Sequence, residues 1–337
     1  MSFLLSCIST KHSMLKQHWN QTGQTGRTSQ VRQARQVKQT KRTHETEQNI
    51  ECPLTVLGSM QKPDDDQGGL LCLLDDRGNT LNSVELPMPA GMVPTEDGVL
   101  IASLDAVHNV TADLAQIQQD VVSIPAFNLL HSMSRSQHGY LVASTGLDAI
   151  LEFTREGELL WSWWATDHGF AYTPTGELRV VDKTADHRSV KYGTLAQTTH
   201  VNSVAELPDG RILASLFHQG MVIAIERESG AWEPLLKGLD HPHAIRILAD
   251  DYFTVADTAR GRALMVHIKD GHGIIEAEVQ ADTDWLQDCS YDQKRDHWVL
   301  VDGKNSRISL RNGLAGEKTV AQFDLNPEWR LYEVLPL

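Results

Sequence analysis

Histidine recurs at comparable places along the middle of this 337-residue chain. Each of four histidines precedes a short β-type run, by 8 residues in three cases and by 10 in the other. Neutral imidazoles that converge in space can bind Zn, Fe or Cu, and they can also transfer protons near neutral pH. The four residues are therefore predicted metal ligands or an acid–base group: His131, His168, His200 and His243.

Other polar residues stand in the turns and strands around these histidines. An imidazole can act as general acid or base and a guanidinium can bind a carboxylate, phosphate or sulfate. On this ground, the predicted catalytic residues are His218, His187, Arg188 and Arg260. The predicted substrate contacts are Asn202, Asp148, Asp186, Trp285, Gln287 and Asp288.

The elements that must position these side chains are short strands. Seven runs rich in β-branched and aliphatic residues recur about every 40 residues, and most are flanked by turns and by further short strands. They are GLLCLLD (69–75), GVLIAS (98–103), GYLVAST (139–145), GELRVVD (176–182), GRILAS (210–215), DYFTVAD (251–257) and HWVLVD (297–302). This repetition predicts an all-β fold, a β-propeller, in which the blades bring their equivalent positions around one axis.

Seven runs over residues 51–337 predict seven four-stranded blades. Because the runs at 69–75 and 176–182 are abbreviated, six blades with an insertion near 168–198 is the alternative. Residues 330–337 and 53–58 are the expected partners for closing the ring. Residues 112–120 are the best candidate for a helix.

Residues 1–50 differ in composition from the rest. They are rich in Gln, Thr, Lys and Arg and carry a net charge of +6, whereas the remainder carries −20. The sequence therefore predicts a disordered basic tail over 1–50 and a propeller over 51–337. The acidic body disfavours nucleic acid as a partner, and we expect a small-molecule substrate instead.

Cysteine usage and hydropathy bear on the compartment. The four cysteines form no C-x-x-C pair, and no apolar run approaches the roughly 20 residues that span a bilayer. The expectation is a cytoplasmic protein that does not associate with membranes. The sequence leaves the oligomeric state open. It has no phosphate-binding loop and no dinucleotide fingerprint, so no nucleotide cofactor is expected.

Three segments carry a resemblance to known proteins: THVNSVAELPDGRILASLFHQGMVIAIERESG, STGLDAILEFTREGELLWSWW and DHPHAIRILADDYFTVADTARGRALMVH. Over roughly residues 125–270 the chain resembles NHL-like and arylsulfotransferase-like β-propellers. The resemblance implies a propeller fold. It leaves the chemistry open, because such propellers include lyases, hydrolases, sulfotransferases and binding modules.

Three functional hypotheses follow. The first is a small-molecule enzyme (lyase, hydrolase or oxidase) with a histidine-rich site, which could also hold a metal, at the channel mouth. The second is metal-free group transfer of the sulfotransferase type. The third is a non-catalytic propeller that binds ligands or proteins.

Overall fold

A computed structural model of the protein describes residues 2–9 and 68–337. These residues form six antiparallel sheets of four strands each. The prediction of an all-β propeller is confirmed. The prediction of seven blades is wrong, and the six-blade alternative is confirmed, because residues 165–200 form an irregular insertion where a blade was expected.

The strands are as follows, each blade being given from its innermost strand outward. Blade 1 contains β24 (Arg330–Pro336), β1 (Phe3–Ser9), β2 (Gly68–Leu74) and β3 (Thr80–Glu85). Blade 2 contains β4 (Met92–Thr95), β5 (Gly98–Ala102), β6 (Val107–Val110) and β7 (Ile117–Val122). Blade 3 contains β8 (Leu130–Arg135), β9 (Tyr140–Ser144), β10 (Ala149–Phe153) and β11 (Leu159–Trp164). Blade 4 contains β12 (Val201–Glu206), β13 (Ile212–Leu216), β14 (Met221–Ile225) and β15 (Trp232–Leu236). Blade 5 contains β16 (Pro242–Ala249), β17 (Tyr252–Asp257), β18 (Arg262–Lys269) and β19 (His272–Gln280). Blade 6 contains β20 (Leu286–Asp292), β21 (His297–Asp302), β22 (Arg307–Asn312) and β23 (Lys318–Asp324).

Each pair of neighbouring blades shares a hydrophobic core. The second strands, such as YLVAS in β9 and FTVAD in β17, are buried on both faces because each face packs against another blade. Phe127 and Phe153 lie between blades 2 and 3, Trp163 between blades 3 and 4, and Trp298 between blades 5 and 6. The last such core joins blade 6 to blade 1 and closes the ring.

The two ends of the chain complete blade 1. Strand β1 pairs with β24 on one side and with β2 on the other. The predicted partner of residues 330–337 was 53–58, and this is wrong: the partner is Phe3–Ser9. Residues 53–58 lie outside the described residues. The predicted tail over 1–50 is therefore corrected at its start, because Phe3, Leu4 and Leu5 are fully buried in the propeller.

Four short 3-10 turns are the only helical elements of residues 2–9 and 68–337. They are Thr145–Leu147, Ala165–His168, Thr194–Ala196 and Thr258–Arg260. The helix expected at 112–120 is absent, because its C-terminal part belongs to the outer strand β7. Within this part of the chain, no helix is long and apolar enough to cross a membrane.

Candidate functional site

A cavity of about 380 Å³ runs along the propeller axis. All six innermost strands contribute to its wall, so the site is built by the ring and not by one blade. The side chains that carry its chemistry are His131, Asn202, His243, Arg246, Gln287, Asp288, Tyr332 and Glu333. Met92, Val93 and Pro94 of blade 2 form an apolar part of the wall.

A β-bulge near the start of the innermost strand directs these side chains. In β8 the pairing with β9 passes from Leu130 to Ser132 and omits His131. The same irregularity omits Asn202 in β12, Gln287 in β20 and Tyr332 in β24. In β16 the irregularity begins directly after His243. A bulge re-aims a side chain out of the sheet. Here it directs one residue each of blades 1, 3, 4 and 6 toward the axis, where His243 of blade 5 also lies.

Backbone carbonyls fix the tautomers of His131 and His243. The Nδ1 atom of His131 lies 2.9 Å from the carbonyl oxygen of Leu129. The Nδ1 atom of His243 lies 2.8 Å from the carbonyl oxygen of His241 and 2.9 Å from the hydroxyl of Thr258. A carbonyl oxygen can only accept a hydrogen bond, so Nδ1 carries the proton in both rings. Each Nε2 atom is therefore left with its lone pair, and none of the described residues donates a hydrogen bond to it.

Burial keeps these two imidazoles neutral. It lowers the pKa of His131 to about 4 and the pKa of His243 to about 3, because the charged ring is poorly solvated at the axis. At neutral pH both rings are uncharged, and each can accept a hydrogen bond at Nε2.

Two hydrogen-bond donors on the same cavity wall lack partners. The side-chain amide nitrogen of Asn202 and the hydroxyl of Tyr332 are buried and make no hydrogen bond to the described residues. The two residues are 2% and 8% exposed. Burial raises the pKa of Tyr332 well above its usual value, so the hydroxyl stays protonated. Buried groups of this kind normally have partners, so an exception at a cavity indicates a ligand.

A series of rings surrounds the channel mouth. The centroid of the His131 ring lies 5.6 Å from that of Tyr332 and 5.0 Å from that of His200. Phe217 then contacts His200 at 4.6 Å and His243 at 5.7 Å. Trp285 follows, 6.1 Å from His243, and it donates a hydrogen bond to the side-chain oxygen of Gln287. His218 lies beside His200, at 5.9 Å.

Deeper in the channel, one guanidinium lies between two carboxyl groups. Arg246 donates to both oxygens of Asp288, at 2.6 and 3.0 Å, and to Glu333 at 3.2 Å. The backbone N–H of Val334 also donates to Asp288. One cation cannot balance two buried anions. Burial disfavours a charged carboxyl group, and the nearby charge of Asp288 disfavours it further. Together they raise the pKa of Glu333, the more weakly bonded of the two carboxyl groups, to about 8.

His168 is not part of this site. Its ring stacks on Trp163 with centroids 5.2 Å apart, and its carbonyl accepts a hydrogen bond from the Trp232 indole. His168 is the last residue of the turn that follows the outer strand β11. The predicted strand at 176–182, from which its position was counted, belongs to the insertion and not to a blade. The structure therefore places His168 outside the axial cavity, apart from the other three histidines that were predicted as metal ligands.

The Asp186–His187–Arg188 triplet stabilises the insertion. Both ring nitrogens of His187 are used, one with the Tyr192 hydroxyl at 2.8 Å and the other with the carbonyl of Asp182 at 2.7 Å. Arg188 pairs with Asp186 at the surface. None of the three lines the cavity, so their predicted roles in catalysis and substrate binding find no support in this geometry.

Asp148 holds the insertion against blade 3. Its carboxylate accepts hydrogen bonds from the backbone N–H groups of Thr198, Thr199 and His200, at 2.8 to 2.9 Å. It also lies 3.1 Å from Arg179. Asp148 is fully buried and its partners are all part of the protein, so its contacts are those of a structural residue.

The remaining predicted residues divide between rim and axis. Arg260 bonds to the carbonyl of Gly238 and pairs with Asp257, away from the cavity. His218 lies at the mouth, where its Nε2 donates to the carbonyl of Thr194. Gln287 and Asp288 line the cavity, as Asn202 does.

The four-histidine metal centre does not fit this arrangement. Among residues 2–9 and 68–337, no group of three His, Cys, Asp or Glu side chains is placed so that it could hold a metal ion. The bulge position between those of His131 and His243 is occupied by Asn202, whose amide is a poor ligand for Zn, Fe or Cu. The metal prediction stays a prediction.

Sequence reasoning missed Tyr332, Arg246 and Glu333, and it aligned blade 4 incorrectly. His200 lies 10 residues before Gly210, but Asn202 lies 8 before it, the spacing of His131 and His243 from their runs. A constant spacing of 8 would have identified Asn202 as the equivalent residue. No spacing could have found Tyr332, because the next strand of its blade is at the other end of the chain.

Comparison with solved structures gives the same fold. A protein of unknown function from Bacteroides caccae is 14% identical, with coverage of 82% of this chain and 95% of that one and a TM-score of 0.55. A structure of the nidogen/laminin complex is 11% identical, with coverage of 80% and 94% and a TM-score of 0.54. Virginiamycin B lyase from Staphylococcus aureus is 15% identical, with coverage of 72% of each chain and a TM-score of 0.45.

These similar structures are β-propellers, and at such identities they show the fold alone. No protein-family model matches the chain. No curated protein matches it by sequence. The resemblance to arylsulfotransferase-like propellers is not shown by any of the comparisons, which support a general propeller resemblance.

Proposed function

We propose that the protein is an enzyme that transfers protons on a small organic carbonyl compound, as a lyase or a lactone hydrolase. One observation carries the proposal. Two imidazoles present unprotonated Nε2 atoms, because their Nδ1 protons are bound to the carbonyls of Leu129 and His241. Two buried donors without partners, on Asn202 and Tyr332, line the same cavity.

The geometry supports a division of roles. His131 or His243 would remove a proton, either from the carbon next to a carbonyl group or from a water molecule. The negative charge that then develops on the carbonyl oxygen would be stabilised by the Asn202 amide and the Tyr332 hydroxyl. Loss of a β-substituent from the resulting enolate gives elimination, and attack by the activated water on a lactone gives hydrolysis. Neither route requires a metal.

The test measures turnover of a panel of small lactones, beginning with dihydrocoumarin, and of carbonyl compounds that carry a β leaving group. At least one of the variants His131→Gln and His243→Gln should lower the rate about 100-fold or more, the range expected for loss of a general base. His267→Gln is the matched control, because His267 lies on β18 and bonds to Asp251 away from the channel.

Equal rates for the wild type and the two channel variants across the panel, including no turnover by any of them, would count against the proposal. Elemental analysis of the purified protein adds a second criterion. If the protein contains a stoichiometric amount of zinc, iron or copper, that result contradicts metal-free proton transfer by the imidazoles and favours the metal-assisted hypothesis.

A further inference from the structure

A groove of about 520 Å³ lies beside the channel mouth, between blades 6 and 1. Its walls come from the segment before β20, from the turn after β21 and from the residues that lead into β24. They are Asp284, Trp285, Gly303, Lys304, Pro327, Glu328, Trp329 and Arg330. Trp285 belongs to the groove and also to the series of rings around the mouth, where it contacts His243. A ligand in the channel mouth can therefore extend into the groove past the Trp285 ring.

Arg330 is the free cation of this groove. It is exposed, and among the residues that the structure describes no carboxylate is within ion-pairing distance of it. The other cation of the groove, Lys304, pairs with Asp284 at 2.5 Å. The second guanidinium near the axis, that of Arg246, is bound between Asp288 and Glu333.

The position of Arg330 links the groove to the reactive residues. It is the first residue of β24, and Tyr332 follows it by two positions on the same strand. Its charge contributes to the lowered pKa values of His131 and His243, after burial as the main cause. The rings of Tyr332, His131 and His243 are neutral and give the Arg330 guanidinium no partner of opposite charge. A ligand anion would supply that partner.

The rings at the mouth indicate the shape of the uncharged part of the ligand. Tyr332, His131, His200, Phe217, His243 and Trp285 contact one another in this order along the rim. The gap in the series lies between Trp285 and Tyr332, at the groove. Aromatic and imidazole rings that line a cavity favour a planar or cyclic ligand, which can stack on them or contact their edges.

We propose that the substrate is a small organic anion whose carboxylate, phosphate or sulfate group binds Arg330 in the groove, while its ring packs against Trp285 at the mouth. This geometry would place the part of the molecule next to the ring at the Nε2 atoms of His131 and His243. The assignment of the reacting part rests on the proposed function, whereas the anion site can be tested by itself. Glu328 is the opposing charge of the groove, and a ligand anion must lie closer to Arg330 than to it.

The test compares two probes that differ only in charge, phenylacetate and phenylacetamide. Binding is followed by quenching of tryptophan fluorescence and by titration calorimetry at low salt. The wild type should bind phenylacetate at least about tenfold more tightly, as expected for one charge-assisted hydrogen-bonding group. Arg330→Gln should remove this preference and leave the affinity for phenylacetamide unchanged. Arg330→Lys should keep part of the preference for phenylacetate, because the positive charge stays but the bidentate hydrogen bonding of the guanidinium is lost.

Arg77→Gln is the matched control. Arg77 is also an exposed arginine of blade 1, but it lies in the turn between β2 and β3, at the opposite end of the strands from the mouth. It should not change the preference. Equal affinity of the wild type for both probes, or a preference that survives Arg330→Gln, would overturn the proposal. Phenyl phosphate and phenyl sulfate as further probes identify which anion the groove prefers.

The two proposals fail separately. A preference for phenylacetate that depends on Arg330, together with turnover that does not depend on His131 and His243, would keep the anion site and discard the proton-transfer function. Turnover that depends on both histidines without any preference between the two probes would do the reverse.

Discussion

His131 of blade 3 packs edge to face on Tyr332 of blade 1, with ring centroids 5.6 Å apart, although blade 2 lies between these blades in the ring. Blade 2 leaves room for this contact because its innermost strand is short and apolar at the mouth. A Cβ atom on Gly91 would lie 2.0 Å from the backbone nitrogen of Met133, so blade 2 also packs very closely against blade 3. The result is that a base and a hydroxyl donor from different blades are neighbours.

The two channel imidazoles should remain neutral in mildly acidic solution. At pH 5.5 an ordinary histidine is mostly protonated, whereas His131 and His243, with pKa values of about 4 and about 3, should not be. Proton NMR of the ring Cε1–H signals, assigned with His131→Gln and His243→Gln, measures this directly. Because the folded pKa values lie below the unfolded value, the free energy of unfolding should fall as the pH decreases from about 6.5 to 3, and less steeply in the double variant. Signals that titrate near pH 6.5 would contradict the buried, neutral assignment.

Asn202→Ala should reduce turnover about 100-fold without reducing stability. The amide nitrogen of Asn202 has no partner among the described residues, so its removal costs no hydrogen bond in the folded protein. Loss of one donor to a developing oxyanion typically lowers the rate by about 10² to 10³. Asn305→Ala is the comparison, because Asn305 donates to Asp302 at 2.7 Å and should cost about 1 kcal/mol in urea denaturation. A large loss of stability in Asn202→Ala would show that the residue is structural.

Asp148→Ala should lower the free energy of unfolding by about 3–5 kcal/mol, since it leaves Arg179 buried without its partner. Three backbone N–H groups, including that of His200, lose their acceptor as well. Asp186→Ala removes a carboxylate from an exposed pair with Arg188 and should cost less than about 1 kcal/mol. Denaturant titration of both variants decides the matter, and similar effects would refute the anchoring role of Asp148.

Leu5→Ala should destabilise the protein by about 2–5 kcal/mol, as truncation of a fully buried leucine does. Strand β1 lies between β24 and β2, so the loss falls on the blade that closes the ring. Leu15→Ala, in the predicted tail and outside the described residues, is the control and should have little effect. Thermal unfolding monitored by circular dichroism compares the two variants. An unchanged unfolding temperature in Leu5→Ala would contradict the placement of residues 3–9 in blade 1.

Glu333→Gln should change the dependence of stability on pH. The folded pKa of Glu333, about 8, lies above the unfolded value. The stability that it contributes is therefore fully present below about pH 4.5 and is lost as the pH rises to about 8. Relative to the glutamine variant, the wild type should lose on the order of 2 kcal/mol between pH 6 and 9. Glu328→Gln, at an exposed position, should show the wild-type profile, and parallel profiles for all three proteins would contradict the shared-cation arrangement.

The propeller could be predicted from the sequence because the second strand of each blade is rich in apolar residues, and such strands recur about every 40 residues. The blade number could not, because the run at 176–182 resembles such a strand in composition. In the structure Leu178 and Val180 are exposed, and the segment makes only an isolated bridge between Tyr172 and Leu178. Composition indicates which residues can form a strand, but only a neighbouring blade determines whether they do.

Part of the candidate site was also predictable. The convergence of residues from distant blades follows from the fold, and His131, His243, Asn202, Gln287 and Asp288 were predicted to be at the axis. In blade 4 the bulge is marked only by the spacing of 8 residues between Asn202 and Gly210, and this spacing fails in blade 6, where Gln287 lies 10 residues before His297. His200 was consequently aligned in place of Asn202, and Tyr332 was not found at all.

The repeated bulge separates the direction of a side chain from its identity. In blades 3, 4, 6 and 1 the same backbone irregularity presents an imidazole, a carboxamide, a second carboxamide and a phenol. Substitution at one of these positions changes the chemistry at the axis without changing the frame that presents it. The backbone frame of the ring is therefore independent of the side chains that it presents, so point mutations at its inner edge can remodel the cavity without rebuilding a blade.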